Sequence, residues 1–265
     1  MRERKNINYR LVMKRGPSKK KRPLSYRERT YRQAGQAGLV STFVRMVETD
    51  LHILAPLDVE DEALRLVAGV RSQVEGYIRH NPVFRHSLRP LPPDATAPAV
   101  VREMLAAGRL AGVGPMAAVA GAIAEAVGRG LQKSGVEDLI VENGGDIFTA
   151  RTRECTVAVF AGESPLSGRM GIRLAPEMMP CGVCCSSGTV GHSLSLGTAD
   201  AVVVVAPSTA VADAAATRIG NEVGRGRGSL GHALEKVKDL SDISGAVIIR
   251  DQQIGAWGEV ELVRL

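Results

Sequence analysis

Ala201-Val202-Val203-Val204-Val205-Ala206-Pro207-Ser208-Thr209-Ala210-Val211-Ala212-Asp213-Ala214-Ala215-Ala216-Thr217 is the stretch on which the fold reading turns. Residues 201–206 are apolar and mostly β-branched, too short for a buried helix, so they read as an interior strand covered on both faces. Pro207-Ser208 ends the strand, and Ser208-Thr209 opens a helix over residues 208–223. Asp213 and Thr217, four residues apart, share one face of that helix. A carboxylate beside a hydroxyl suits a hard cation such as magnesium; the plainer alternative is that Thr217 or Arg218 simply satisfies a buried Asp213.

Working outward, residues 39–47 and 52–55 read as two strands and residues 60–80 as an amphipathic helix stopped by Asn81-Pro82. A proline-rich linker over 89–98 leads to a helix over 99–107. Residues 113–131 are almost wholly Ala, Val, Ile, Met and Gly, with Glu125 and Arg129 as the first charges, and read as one helix buried on most sides. Strands follow at 138–142, 147–150, 155–161 and 170–174. Beyond the opening stretch, residues 224–228 form a loop, 230–240 a helix, and 246–250 with 253–257 a closing hairpin.

Thirteen Lys and Arg against two Glu lie in residues 1–32, so the net charge of +6 is a property of that segment, and the rest of the chain is mildly acidic. This predicts a basic extension over residues 1–34, a solvated tail with weak polyanion binding as its partner function, ahead of a single domain over 35–265. Aromatic residues make up 3% of the chain, which argues against base-stacking platforms for single-stranded nucleic acid. No apolar run reaches the roughly 18 residues needed to span a bilayer, and no apolar signal region follows the basic start. The expectation is a cytoplasmic protein with no membrane partner and a small-molecule ligand, its self-association left open.

Two more polar segments follow apolar ones, at strand ends, where sites assemble. In Asn143-Gly144-Gly145-Asp146 the glycines allow backbone N–H groups to approach a phosphate or ring edge, and Asp146 offers a carboxylate; the alternative is a hairpin turn. Residues 181–192, read as a loop, carry Cys181, Cys184, Cys185, Ser187, Gly188 and His192. A thiol or persulfide chemistry at Cys184 or Cys185, with His192 lowering a thiol pKa or relaying a proton, is one reading. The other is that these cysteines are small buried hydrophobes on a strand. A zinc site lacks a second ligand pair.

Taken in order, these segments resemble the ApbE-like superfamily, which includes magnesium-dependent FAD:protein FMN transferases. Asn143-Gly144-Gly145-Asp146 is similar to the family's Asn-x-Gly-Gly-Asp loop, and Ser186-Ser187-Gly188 to its Thr-Ser-Gly turn. Val202 to Ala206 with Ala212-Asp213-Ala214-Ala215-Ala216-Thr217 resembles its strand and Ala-Asp-Ala-x-Ala-Thr helix. Thr49-Asp50-Leu51, Asn81-Pro82 and the segment 112–121 resemble a branch of small cytoplasmic proteins within that superfamily. The resemblance implies a T-fold-like α+β fold, a mostly antiparallel β-sheet with helices packed on one face. It also implies magnesium (Mg2+) at Asp213 and Thr217, and FAD or another flavin or nucleotide held by Asn143, Gly144, Gly145, Asp146, Ser187 and Gly188. Where the transferases carry Gly-Gly-Ile-Ala-Lys-Gly, this chain has Ala117-Ala118-Val119-Ala120-Gly121-Ala122, and their His-x-x-Asp-Pro-x-x-Gly is here His192-Ser193-Leu194-Ser195-Leu196-Gly197. The lost lysine and Asp-Pro separate the resemblance in fold from any assignment of reaction, and a ligand-binding module without catalysis remains a third reading.

Overall fold

The computed structural model of the protein describes residues 38–188, 197–226 and 228–265. The order of elements is β1 (Val40–Met46), β2 (Thr49–Ala55), α1 (Glu60–His80), the single turn α2 (Val83–His86), α3 (Ala99–Ala111) and α4 (Val119–Lys133). Then come β3 (Leu139–Asn143), β4 (Asp146–Ala150), β5 (Cys155–Ala158), β6 (Met170–Leu174), β7 (Cys181–Ser186) and β8 (Ala201–Ala206). The chain closes with α5 (Thr209–Glu222), α6 (Ser229–Val237), β9 (Gly245–Arg250), β10 (Gln253–Gly258) and β11 (Glu261–Arg264).

Eight strands form one antiparallel sheet in the order β1-β2-β3-β4-β7-β8-β9-β10. Its apolar face is covered by helices, as the resemblance implied. Ala63 and Val67 of α1 and Val127 and Leu131 of α4 pack on Ile53, Val141 and Phe148 of the first half. Ala212, Ala215 and Ile219 of α5 and Ala233 of α6 pack on Val202, Val204 and Ile248 of the second. Each fully buried Leu, Ile or Phe in these layers contributes about 1.5–3 kcal/mol of transfer free energy. The other face of β7–β9 carries a separate three-stranded sheet, β11-β6-β5, with Ile172 and Leu174 packed on Val183, Val203 and Val247. No single helix among the described residues is long and apolar enough to cross a membrane.

Two sequence expectations are corrected here. Residues 113–131 are not one helix: α3 runs on to Ala111, Gly112 closes it in a left-handed cap, and a 3-10 turn at Pro115–Ala118 precedes α4. The Val113 N–H bonds to Gly108 O, the reverse wrap of a Schellman cap, and Pro115 begins the next turn. Residues 181–186 are not loop but the interior strand β7, paired with β4 on one side and β8 on the other. Both of its faces are covered, so its polarity does not alternate and the pattern does not advertise a strand.

Candidate functional site

At the β3–β4 connection, Asn143 pairs with Asp146 across a two-residue turn whose glycines, Gly144 and Gly145, have φ of 71° and 107°. Positive φ at both central positions is what a tight hairpin needs and what a side chain resists, so the hairpin reading holds. The Gly145 N–H is already engaged, donating to Glu142 Oε1 at 2.7 Å. Asp146 is 7% exposed and lies opposite Cys184 of β7. Ser187 and Gly188 leave β7 at the same end of the sheet as this turn, and the Gly188 N–H donates to Ala199 O at 2.9 Å. These two glycine N–H groups, read from sequence as ligand contacts, are therefore engaged within the chain, Gly145 by a side-chain carboxylate and Gly188 by a backbone carbonyl.

Helix α5 crosses this end of the sheet. Its first residue, Thr209, sits on β7, where the Cys184 thiol donates to Thr209 O at 3.3 Å. One turn later, Asp213 Oδ2 accepts the Gly121 N–H at 2.9 Å, and the Ala120 N–H also bonds this carboxylate. These N–H groups belong to the first turn of α4, which lacks intrahelical partners for them, and no cap comes from Ala118. Asn143 completes the junction, its Nδ2 donating to Ala120 O at 3.0 Å. The carboxyl of Asp213 is held well above the usual carboxylate range, first by burial and then by the Asp146 charge, against the pull of the Gly121 and Ala120 N–H groups. Part of the residue's surface stays open, as does part of Thr217.

Asn143 and Asp146 of the β3–β4 hairpin and Asp213 of α5 are therefore brought together at the first turn of α4, with Thr217 one turn further along α5. Cys184 and Cys185 do not present reactive thiols there. Cys184 is fully buried, and burial, the Asp146 and Asp213 charges and its hydrogen bond to Asp146 push its thiol up. Cys185 points to the other face of β7, and burial, then the Asp146 charge, push it up to about 12. A nucleophilic thiol needs the opposite shift; the buried-hydrophobe reading accounts for Cys184, while Cys185 is only partly covered. His192 lies outside the described residues, as does the basic segment 1–34. No three His, Cys, Asp or Glu side chains among the described residues converge as a metal cluster. A surface cavity of about 470 Å³ between α1 and the 94–98 segment lies apart from these residues, and its Tyr77 hydroxyl donates to Asp94 at 3.0 Å.

Besides the Ala120 and Gly121 N–H groups, sequence reasoning missed Glu125. Ser208 does not cap α5; Glu125 of α4 does, its Oε2 accepting the Thr209 N–H at 2.7 Å and the Ser208 hydroxyl at 3.2 Å. The available signal was a carboxylate standing as the first charge in an otherwise apolar helix, which demands a buried partner.

The family profile described as "AbpE bacteria" matches residues 31–254. A "UPF0280 protein" of Methanosarcina acetivorans is 41% identical over 206 residues, 78% of this chain and 80% of that protein. One of Methanocaldococcus jannaschii is 40% identical over 229 residues, 83% of this chain and 92% of that protein. Among solved structures, "Flavin Transferase ApbE from Vibrio cholerae" superposes with a TM-score of 0.53 at 14% identity, covering 83% of this chain and 96% of that one. The apo flavinyl transferase ApbE of Pseudomonas stutzeri gives 0.53 at 12% identity, covering 83% and 94%. Structural likeness at such identity establishes a shared fold, whereas a profile spanning most of the chain and relatives near 40% identity establish kinship: the chain belongs to the AbpE family of bacteria, within the ApbE-like superfamily.

Proposed function

We propose that the protein is a magnesium-dependent enzyme acting on the phosphoanhydride of a flavin- or nucleotide-like ligand, with FAD the leading candidate. The observation that carries this reading is the meeting of Asp213 and Asp146 beside the first turn of α4 and the β3–β4 hairpin. The donor set fits a hard cation. Asp213 and Thr217 offer oxygen ligands one helical turn apart, and the repulsion between the Asp146 and Asp213 charges is what a nearby cation relieves. A magnesium site of this kind uses one or two carboxylates and leaves its other positions to water and substrate phosphate, so it needs no larger cluster of acidic side chains.

When bound, magnesium would neutralise charge on the phosphate oxygens during displacement. The chain's own residues hold the geometry. Asn143 fixes the Ala120 carbonyl, the Ala120 and Gly121 N–H groups fix Asp213, and the rigid hairpin turn sets the position of Asp146. Ser187 stands at the same end of the sheet, within the reach proposed for ligand contact.

The named flavin transferases among the structural neighbours support a transferase reaction on a flavin. Incubation with Mg2+ and FAD is expected to release AMP, detected chromatographically, and Asp213→Asn to abolish the release while the protein stays folded. Absence of AMP together with absence of flavin binding at high micromolar concentration refutes the proposal.

A further inference from the structure

We infer that Glu125 is the positioning residue for Asp213, setting where α5 lies against α4 through a reciprocal pair of helix caps. Each helix supplies the carboxylate that satisfies the other's first turn. Glu125 of α4 accepts from Thr209 N and Ser208 Oγ at the start of α5. Asp213 of α5 accepts from Ala120 and Gly121 N at the start of α4. The two N-termini thus meet head to head, and neither helix slides or rotates without breaking both caps.

Glu125 is the rigid half of this pair. Its side chain is 8% exposed, and Arg129 holds Oε1 through Nε at 2.9 Å and Nη2 at 2.7 Å. Arg129 in turn lies over the Phe148 ring, 5.4 Å from its centroid. The start of α5 is therefore tied through Glu125 and Arg129 to β4, the strand that also carries Asp146. Asp213 lies one helical turn from Thr209, so a displacement at Thr209 carries Asp213 with it relative to Asp146. At Gly121 the contact is already tight: a Cβ there would lie 2.5 Å from Thr209 O.

The inference rests on the proposed role of Asp213 in ligand binding, and its test separates the two. Two readouts are used on the full-length protein: the Ala120 and Gly121 amide resonances, which report the Asp213 hydrogen bonds directly, and affinity for Mg2+ alone. Glu125→Ala is expected to shift and deprotect both amides and to weaken Mg2+ by about tenfold or more, as loss of an outer-shell partner does. Glu125→Gln, which still accepts from Thr209 N, is expected to restore the amides and bring Mg2+ affinity within about twofold of wild type. A purely structural Glu125 lowers thermal stability and moves the Thr209 amide in Glu125→Ala while leaving the Gly121 amide and Mg2+ affinity unchanged; that result overturns the inference. Should Glu125→Ala not fold, Glu125→Asp, one methylene short of Thr209 N, carries the same expectation and the same refutation. Wild-type protein that binds no Mg2+ counts against the proposed function, and the Gly121 amide alone then decides the positioning role.

Discussion

Gly121→Ala puts the helix junction to a stability test whose sign is not obvious from sequence. In an exposed helix interior, Gly to Ala stabilises by up to about 1 kcal/mol, because alanine loses less backbone entropy on folding. At position 121 the added Cβ would stand 2.5 Å from Thr209 O and 2.9 Å from Asp213 Cβ, where ordinary contact begins at 3.4 Å. The nearest obstacle is backbone, so relief requires α5 to move and not merely a side chain to rotate. Overpacking of this kind costs about 1–3 kcal/mol, leaving a net loss of up to roughly 2 kcal/mol after a propensity gain of about 1 kcal/mol. For a chain of this size that lowers Tm by up to roughly 8 °C. Gly69→Ala is the control: Gly69 lies in α1 with nothing within 4 Å of its Cβ position. It is expected to raise Tm by roughly 1–4 °C. Thermal unfolding of both variants beside wild type decides the matter. Gly121→Ala melting above wild type refutes the close approach of α4 and α5.

Two further expectations follow from the same region. Gly145→Ala meets no steric obstacle nearer than Cys185 Cβ at 4.0 Å, yet φ of 107° burdens any side chain. Urea denaturation is expected to show a loss of about 1–2 kcal/mol from backbone strain alone, and an unchanged midpoint contradicts the turn geometry. Burial, followed by the Cys155 and Asp146 charges respectively, pushes the Cys181 and Cys185 thiols from 9.0 up to about 12. The folded chain then keeps thiol protons that the unfolded chain releases, so this contribution to stability is intact below pH 9 and is lost as pH rises from about 9 towards 12. Native-state alkylation at pH 8 is correspondingly expected to be far slower than alkylation in urea, and rapid labelling of Cys184 in the folded protein contradicts the burial.

Much of this architecture was legible because some segments admit only one solution. Residues 201–206 have no polar face and too few residues for a buried helix, so an interior strand was the available answer, and β8 is that strand. Asn143-Gly144-Gly145-Asp146 named its own turn, and α1 spans the residues that its apolar spacing marked. The errors share a cause. In β7 and across Gly112-Val113-Gly114-Pro115, small residues suppress the periodicity that separates strand, helix and loop. Cys181-Gly182-Val183-Cys184-Cys185-Ser186 therefore looked like a reactive loop, and a helix break looked like continuous helix. The partition of strands between two sheets was hidden for a different reason: β11 pairs with β6 across most of the C-terminal third of the chain, and nothing local specifies a partner so distant.

The site divides along the same line. Asp146 and Asp213 were visible because each sits in a motif, but their relation depends on a contact between backbones. Ala120 and Gly121 contribute N–H groups and, at Gly121, the absence of a side chain, none of which marks them as functional in a sequence. Glu125 stood out only as the first charge of an apolar stretch, and Arg129 four residues later pairs with it. That pairing accounts for only one of its oxygens. The second, aimed at Thr209, ties α5 to α4, and a buried carboxylate in an apolar helix is read in full only when both oxygens have been assigned.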